Sequence, residues 1–178
     1  AGKMVSMLAK FFRISLSQGK DIIPLQKELE HAVSYLSIQN VRFQDKFTFT
    51  VDWDEKLADC LCPKLVIQPL LENAVYHGME GMYEDGEIQL KIYAVNELVH
   101  IDVIDNGEGM TEAQVQKMMQ GDVVSSKRGS GIGVKNVNDR IKLYFGEAYG
   151  VQIISAPDEG TTARIYFPMR RQEDETEK

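Results

Sequence analysis

The sequence predicts an α/β fold, a two-layer α/β sandwich with strands on one side and helices on the other, preceded by a helical hairpin. Two patterns carry that expectation. Stretches of strict alternation between apolar and polar residues belong to half-buried strands, and stretches whose apolar residues recur every three or four positions belong to amphipathic helices. The third observation is their order along the chain, which intersperses helices among the strands after an opening pair of helices.

Met4, Met7, Leu8, Phe11 and Phe12 recur at helical spacing from the start, with no Ser, Thr, Asp or Asn cap ahead of them. The chain is therefore expected to begin partway down a longer helix. That helix should fade through Ser15 to Gly19. A second should begin near Pro24, a good first-turn residue, with Leu25, Leu29, Ala32, Val33 and Leu36 on one face. A short polar link between them reads as an antiparallel hairpin. From Lys46 to Trp53 the period changes to two, with Phe47, Phe49, Val51 and Trp53 on one side and Thr48, Thr50 and Asp52 on the other. A third helix is expected after Pro63, through Leu65, Leu70 and Ala74 to about Gly78. Glu87 to Val95 and Val99 to Asp105 alternate again, and Asn96-Glu97 between them reads as a hairpin turn. Glu112 to Gln120 is helical in pattern. A glycine-rich loop, Gly129 to Gly133, leads into a helix ending near Gly146, and strands at Val151 to Ser155 and Ala163 to Phe167 close the domain. Arg170 to Lys178 is charged and aperiodic and reads as a frayed tail. The expected division is 1–44 for the helical segment, 45–169 for the globular domain and 170–178 for the tail.

Composition bounds what such a domain can do. Of 178 residues, 20 are Lys or Arg and 27 are Asp or Glu, giving a formal charge of −7. No general attraction to nucleic acid or anionic lipid follows, so any phosphate must be held locally. No apolar run approaches the roughly 20 residues of a membrane-spanning helix. Cys60 and Cys62 are too few for a disulfide framework, and Cys-x-Cys alone does not complete a four-ligand zinc site; both read as reduced packing thiols.

Three segments carry the chemistry: Glu72-Asn73-Ala74-Val75-Tyr76-His77-Gly78, Asp105-Asn106-Gly107-Glu108-Gly109 and Gly129-Ser130-Gly131-Ile132-Gly133. In this order they resemble the N, G1 and G2 boxes of the Bergerat-fold (GHKL) ATP-binding domain of gyrase, Hsp90, MutL and histidine kinases. The resemblance covers about Pro63 to Pro168. Residues 25–43, the Gln68-Pro69-Leu70-Leu71-Glu72-Asn73 run, and Asn136, Arg140 and Tyr144 are similar to bacterial sensor histidine kinases of the LytS/YesM type.

The resemblance implies ATP and Mg²⁺ as ligands. It makes Asn73 the magnesium ligand, a hard oxygen joining phosphate oxygens and water, and lets Glu72 orient or accept a proton. His77, one turn on from Asn73, could touch phosphate. The alternative leaves Asn73 a polar residue and His77 a cation near a helix end. Asp105 accepts hydrogen bonds only, so it can select the exocyclic amino group of adenine over the carbonyl of guanine. Gly107 and Gly109 let backbone pass close to the base, and Thr161 and Thr162 stand where the family helps bind adenine through water. Backbone N–H groups of Gly129, Ser130, Gly131, Ile132 and Gly133 at a helix start form an anion site without net positive charge. Lys127 and Arg128 fall in the lid over the phosphates. Many relatives carry a Lys three residues after the magnesium Asn; here it is Tyr76, so His77 with Lys127 or Arg128 is expected to supply the cation. The alternative is a solvated basic pair.

The implied activity is that of a protein-histidine kinase of a two-component system, passing the γ-phosphoryl group of ATP to a histidine and onward to an Asp of a response regulator. Relatives carry the acceptor in a His-Phe-x-x-Asn context, which this sequence lacks. His31 falls in the second helix, His77 in the N box, and His100 alternates away from Val99 and Ile101 to face solvent. The acceptor is expected upstream, so this stretch should bind ATP without phosphorylating itself. It would be the cytoplasmic part of a membrane sensor, homodimeric when complete, with Leu8, Phe11, Phe12, Leu29 and Leu36 as interface or hairpin-core candidates. A GHKL-type ATPase using Glu72 to activate water, or a non-catalytic ATP-binding module, is the alternative.

Overall fold

The computed structural model describes residues 2–16, 21–44, 46–79, 85–122 and 132–172, with the side chains of residues 10, 11, 13–16, 77 and 78 outside that description. Five strands, β2 (Phe47–Trp53), β4 (Gly86–Val95), β5 (Leu98–Asp105), β6 (Gly150–Ser155) and β7 (Thr161–Pro168), form one sheet in the order β2-β4-β5-β7-β6. Only the β2–β4 pair is parallel. The helices are α1 (Gly2–Leu16), α2 (Leu25–Arg42), α3 (Ile67–Asn73), α4 (Glu112–Gln120) and α5 (Ile132–Phe145). A π-helical turn, Ala74–Gly78, extends α3.

The core lies between the helices and one sheet face. Phe47, Ile88, Leu90, Ile92, Val99, Ile101, Val103, Ile165 and Phe167 meet Leu70 and Leu71 of α3 and Val134, Val137 and Ile141 of α5. Leu25, Leu29, Ala32, Tyr35 and Leu36 of α2 belong to the same buried cluster. Leu29 and Leu36 are thus core residues, whereas Leu8 and Phe12 of α1 are exposed. Cys60 and Cys62 are buried and unbridged.

Three local expectations are corrected. The link ahead of α2 contains a strand, β1 (Ile22–Pro24), which pairs with β3 (Leu61–Pro63) in a two-stranded sheet. Leu65 is not helical: it sits in the turn before α3 at φ 60°, because the amides of residues 65–67 are turned toward a side chain of α2. His100 is half-buried on the outer sheet face, its ring 5.3 Å from that of Tyr93 and 6.4 Å from that of Tyr166. Beside it Asp102 is closed off by Arg164, whose Nε and Nη2 donate to it over 2.8 and 3.1 Å, and by the Tyr93 hydroxyl at 2.8 Å.

Candidate functional site

Strand register builds the floor of a pocket at the carboxyl end of β5. Asp105 pairs with Thr161, which pairs with Ser155 on its other side; Val103 pairs with Ala163, which pairs with Ile153. Two-residue spacing along each strand puts both rows on one face. The result is a polar row, Asp105-Thr161-Ser155, beside an apolar row, Val103-Ala163-Ile153. Leu70, Asn73 and Ala74 from α3 and its π-turn form one wall, and Gly109, Met110 and Met118 another.

The polar row presents acceptors. Asp105 is only 8 % exposed, and its Oδ1 takes the Gly107 N–H at 2.9 Å. Ser155 has one hydroxyl proton, which it donates to the Gly160 carbonyl at 2.8 Å, so the 2.9 Å contact between Ser155 and Thr161 hydroxyls is donated by Thr161. Ser155 Oγ also accepts the Met110 N–H at 2.8 Å. Thr161 is left with acceptor capacity only. A carboxylate and a hydroxyl oxygen, both lacking a donor, at the end of an apolar slot suit a flat heteroaromatic ring carrying an amino group.

Burial pushes the Asp105 carboxyl up to about 6, an effect partly offset by the backbone N–H groups of Gly107 and Thr161. The folded-state value lies above that of the unfolded chain. This group's contribution to stability is therefore fully present below about pH 4 and lost as pH rises through about 6. Asp105→Asn, with no charge to bury, is expected to gain in Tm on the wild type as pH is raised across that window. Thermal unfolding of both nucleotide-free proteins checks this, and a pH-independent difference contradicts it.

Two glycines make the close approach possible. Gly109 (φ 70°) and Gly160 (φ 75°) are left-handed, and a Cβ on either would overlap a backbone carbonyl, Ala156 O or Asp105 O respectively. Asn106, in the G1 segment, braces the start of β4: its Oδ1 accepts the Glu87 N–H at 2.7 Å and its Nδ2 donates to Asp85 O at 2.9 Å.

Of the other expected site residues, Asn73 lines the pocket and Glu72 does not; the Glu72 carboxylate accepts from Gln68 Nε2 at 2.9 Å. Thr162 lies one residue beyond Thr161 and so on the opposite face of β7. Ile132 and Gly133 form the first turn of α5, with Gly133 against Pro69 of α3. The His77 side chain and Lys127, Arg128, Gly129, Ser130 and Gly131 lie outside the described residues. Tyr76, three residues after Asn73, turns toward α2: its hydroxyl accepts from Arg42 Nη1 at 2.9 Å and its ring meets Phe43 edge-on at 6.1 Å. Among the described residues no group of three His, Cys, Asp or Glu could hold a metal.

The sequence reading did not identify Ser155 or the apolar lining. Alternation along β6 would have placed Ile153 and Ser155 on one face, but only register sets them beside Ala163 and Thr161.

Comparison with known proteins agrees with this geometry. Residues 59–171 match the family described as histidine kinase-, DNA gyrase B-, and HSP90-like ATPase, and residues 1–47 match the family described as histidine kinase. The sequence is 37 % identical over 170 residues to the sensor histidine kinase YesM of Bacillus subtilis, covering 96 % of this chain and 28 % of that protein. It is 32 % identical over 176 residues to the sensor protein LytS of Bacillus anthracis, covering 98 % of this chain and 30 % of that protein. The chain thus spans less than a third of either relative. The fold is shared with the histidine kinase domain of the Erythrobacter litoralis EL346 blue-light activated histidine kinase, with TM-score 0.61 and 16 % identity over 98 % of this chain and 76 % of that one. The mycobacterial sensor histidine kinase MprB aligns with TM-score 0.60 and 18 % identity over 85 % of this chain and 98 % of that one. The chain belongs to the histidine kinase-, DNA gyrase B-, and HSP90-like ATPase family, among relatives of the LytS and YesM sensor kinase type.

Proposed function

We propose that the chain binds Mg-ATP in the pocket above β5 and β7 and is the catalytic part of a sensor histidine kinase. The observation that carries this reading is the acceptor-only polar row of Asp105 and Thr161 at the end of an apolar slot. It matches the amino edge of adenine and mismatches guanine, whose corresponding group is a carbonyl acceptor.

Asn73 fits a magnesium ion in the sense the donor set allows. It offers one hard oxygen, and the absence of an acidic cluster among the described residues leaves the remaining positions to phosphate and water. When bound, the ion would neutralise phosphate charge during transfer. Asp105 and Thr161 hold the base, Gly107 and Gly109 admit it, and Asn73 orients the phosphates from the α3 side. The amides of Gly129, Ser130, Gly131, Ile132 and Gly133 at the start of α5, with Lys127, Arg128 and His77, complete the phosphate contacts in this reading. Phosphoryl transfer needs alignment and charge stabilisation more than covalent help, which such a set supplies.

The acceptor is a histidine elsewhere in the full-length protein. His31 is 1 % exposed, and His100 is wedged between Tyr93 and Tyr166 on the sheet face away from the pocket. Residues 1–44 are assigned to the dimerisation and phosphotransfer helices, 45–169 to the ATP-binding domain and 170–178 to a charged tail, whose first two residues are not frayed: Arg170 O accepts the Leu61 N–H at 2.7 Å and Arg171 pairs with Cys60. Relay to a response regulator Asp, homodimerisation, and a cytoplasmic position beneath a membrane sensor complete the assignment. The ATPase alternative is disfavoured because Glu72, its water-activating residue, is bonded to Gln68 and is not part of the pocket lining.

The test is to incubate the full-length protein and the 178-residue chain with γ-labelled ATP and Mg²⁺. Histidine phosphate on the former, with ATP binding but no label on the latter, is the expected result. Asn73→Ala in the full-length protein should lower labelling on the order of a hundredfold, as removal of a metal-mediated charge contact does. Inorganic phosphate alone would favour the ATPase, and ATP binding without either product a regulatory module.

A further inference from the structure

Helix α3 has no side chain of its own segment capping its start; the residue at that position is Val66. The cap comes from α2 instead. Glu28, 1 % exposed, accepts the Leu65 N–H on Oε2 at 2.9 Å and the Val66 and Ile67 N–H groups on Oε1 at 2.9 and 3.1 Å. On the opposite side of the same turn, Arg140 of α5 donates to Lys64 O at 2.8 Å and Leu65 O at 3.4 Å. Leu65 is held left-handed between them, a conformation that costs a non-glycine residue about 1 kcal/mol and needs such support.

A Ser or Asp at position 66 would satisfy these amides locally without placing a charge from another helix in the core. What the observed arrangement adds is a link: the start of α3 is tied to α2, some forty residues earlier in sequence, and the far end of the same segment is tied to α2 again through Arg42 and Tyr76. Asn73 lies six residues beyond Ile67, about 9 Å along a helix too short to bend between them.

We propose that Glu28 is a positioning residue for the nucleotide site, fixing through the turn at residues 65–67 where α3 holds Asn73, so that the setting of α2 governs Mg-ATP binding. The inference rests on the Mg-ATP reading of the pocket. It also gives the neighbouring Arg140 a role in which α5, at whose start the glycine loop ends, is referred to the same turn.

The test uses the 178-residue chain and Glu28→Gln, which keeps shape and one carbonyl oxygen but turns an NH₂ group toward one of the three amides. At a temperature where circular dichroism shows the variant folded, the Mg²⁺-dependent gain in ATP affinity is expected to fall at least about fivefold, the lower end of coupling between linked sites. An unchanged gain in the folded variant overturns the proposal, since a purely stabilising role would lower Tm and leave the gain intact. The second arm needs no variant. Coupling is reciprocal, so Mg-ATP must slow hydrogen exchange at the amides of Leu65, Val66 and Ile67 beyond its effect on the core amides of β4 and β5. Equal slowing at both sets overturns the proposal even if Glu28→Gln does not fold. A wild-type chain that binds no Mg-ATP at all overturns the reading of the pocket itself, a separate outcome from either of these.

Discussion

Replacing Asp105 by Asn is expected to weaken ATP binding about a hundredfold while the chain stays folded, because a buried donor then faces a donor. Asp105 closes β5, and its carboxylate already takes backbone N–H groups from Gly107 and Thr161. An Asn has one acceptor oxygen for the work of two. Whichever way its amide is turned, the NH₂ group opposes either one of these backbone donors or the amino group of the base. The substitution is nearly isosteric, so the apolar row of Val103, Ala163 and Ile153 is undisturbed and the loss is confined to hydrogen bonding. Titration calorimetry with Mg-ATP measures it. If affinity is unchanged, the base is read elsewhere and the adenine assignment of this pocket fails. The expectation for nucleotide-free protein is separate and concerns the pH slope: the same substitution removes a buried charge, so its Tm relative to the wild type should rise between about pH 4 and pH 7. A variant that is more stable yet cannot bind would identify Asp105 as a residue kept for its ligand at the expense of the fold.

How much of this was legible before the structure follows from what is local. The alternation of β2, β4 and β5 is set by each strand's own burial, and their bounds read from sequence fall within a residue of the observed ones. Asp105 and Gly109 stand at local signals, a strand-ending carboxylate and a turn glycine, whereas Thr161 was singled out through the family resemblance. Features that depend on register or on a distant partner were not legible. Strands β1 and β3 are three residues each, too short to show a period, and exist only because they pair. Ser155 becomes part of the polar row through its position opposite Thr161. Glu28 reads as an ordinary polar position on an amphipathic helix, and its burial is intelligible only once the amides of residues 65–67 are in place. His100 was read from alternation alone, which gave the correct sheet face. The flanking Tyr93 and Tyr166 that cover it come from cross-strand pairing with β4 and β7.

Gly160→Ala tests the interlocking of fold and site more severely than any side-chain truncation. Gly160 precedes β7, so its backbone delivers Thr161 to its partner Asp105. At φ 75° an alanine bears a left-handed penalty of about 1 kcal/mol. Beyond that, its Cβ would overlap the Asp105 carbonyl oxygen and stand 3.1 Å from Asn106 Cα. Both are backbone atoms with no rotamer to yield, so the strand ends must separate. The separation breaks the polar row at its centre and withdraws the carbonyl to which Ser155 donates. The expected outcome is a destabilisation of about 3 kcal/mol or more, together with loss of measurable ATP binding. Gly146→Ala is the control. Gly146 is left-handed as well (φ 117°), but nothing lies within 4 Å of where its Cβ would be, so it should cost about 1 kcal/mol and leave ATP affinity intact. Urea unfolding and ATP titration of the two variants separate backbone conformation from close approach. Equal losses would mean that conformation alone matters at Gly160, and that the contact between the β5 end and the turn before β7 does not shape the pocket.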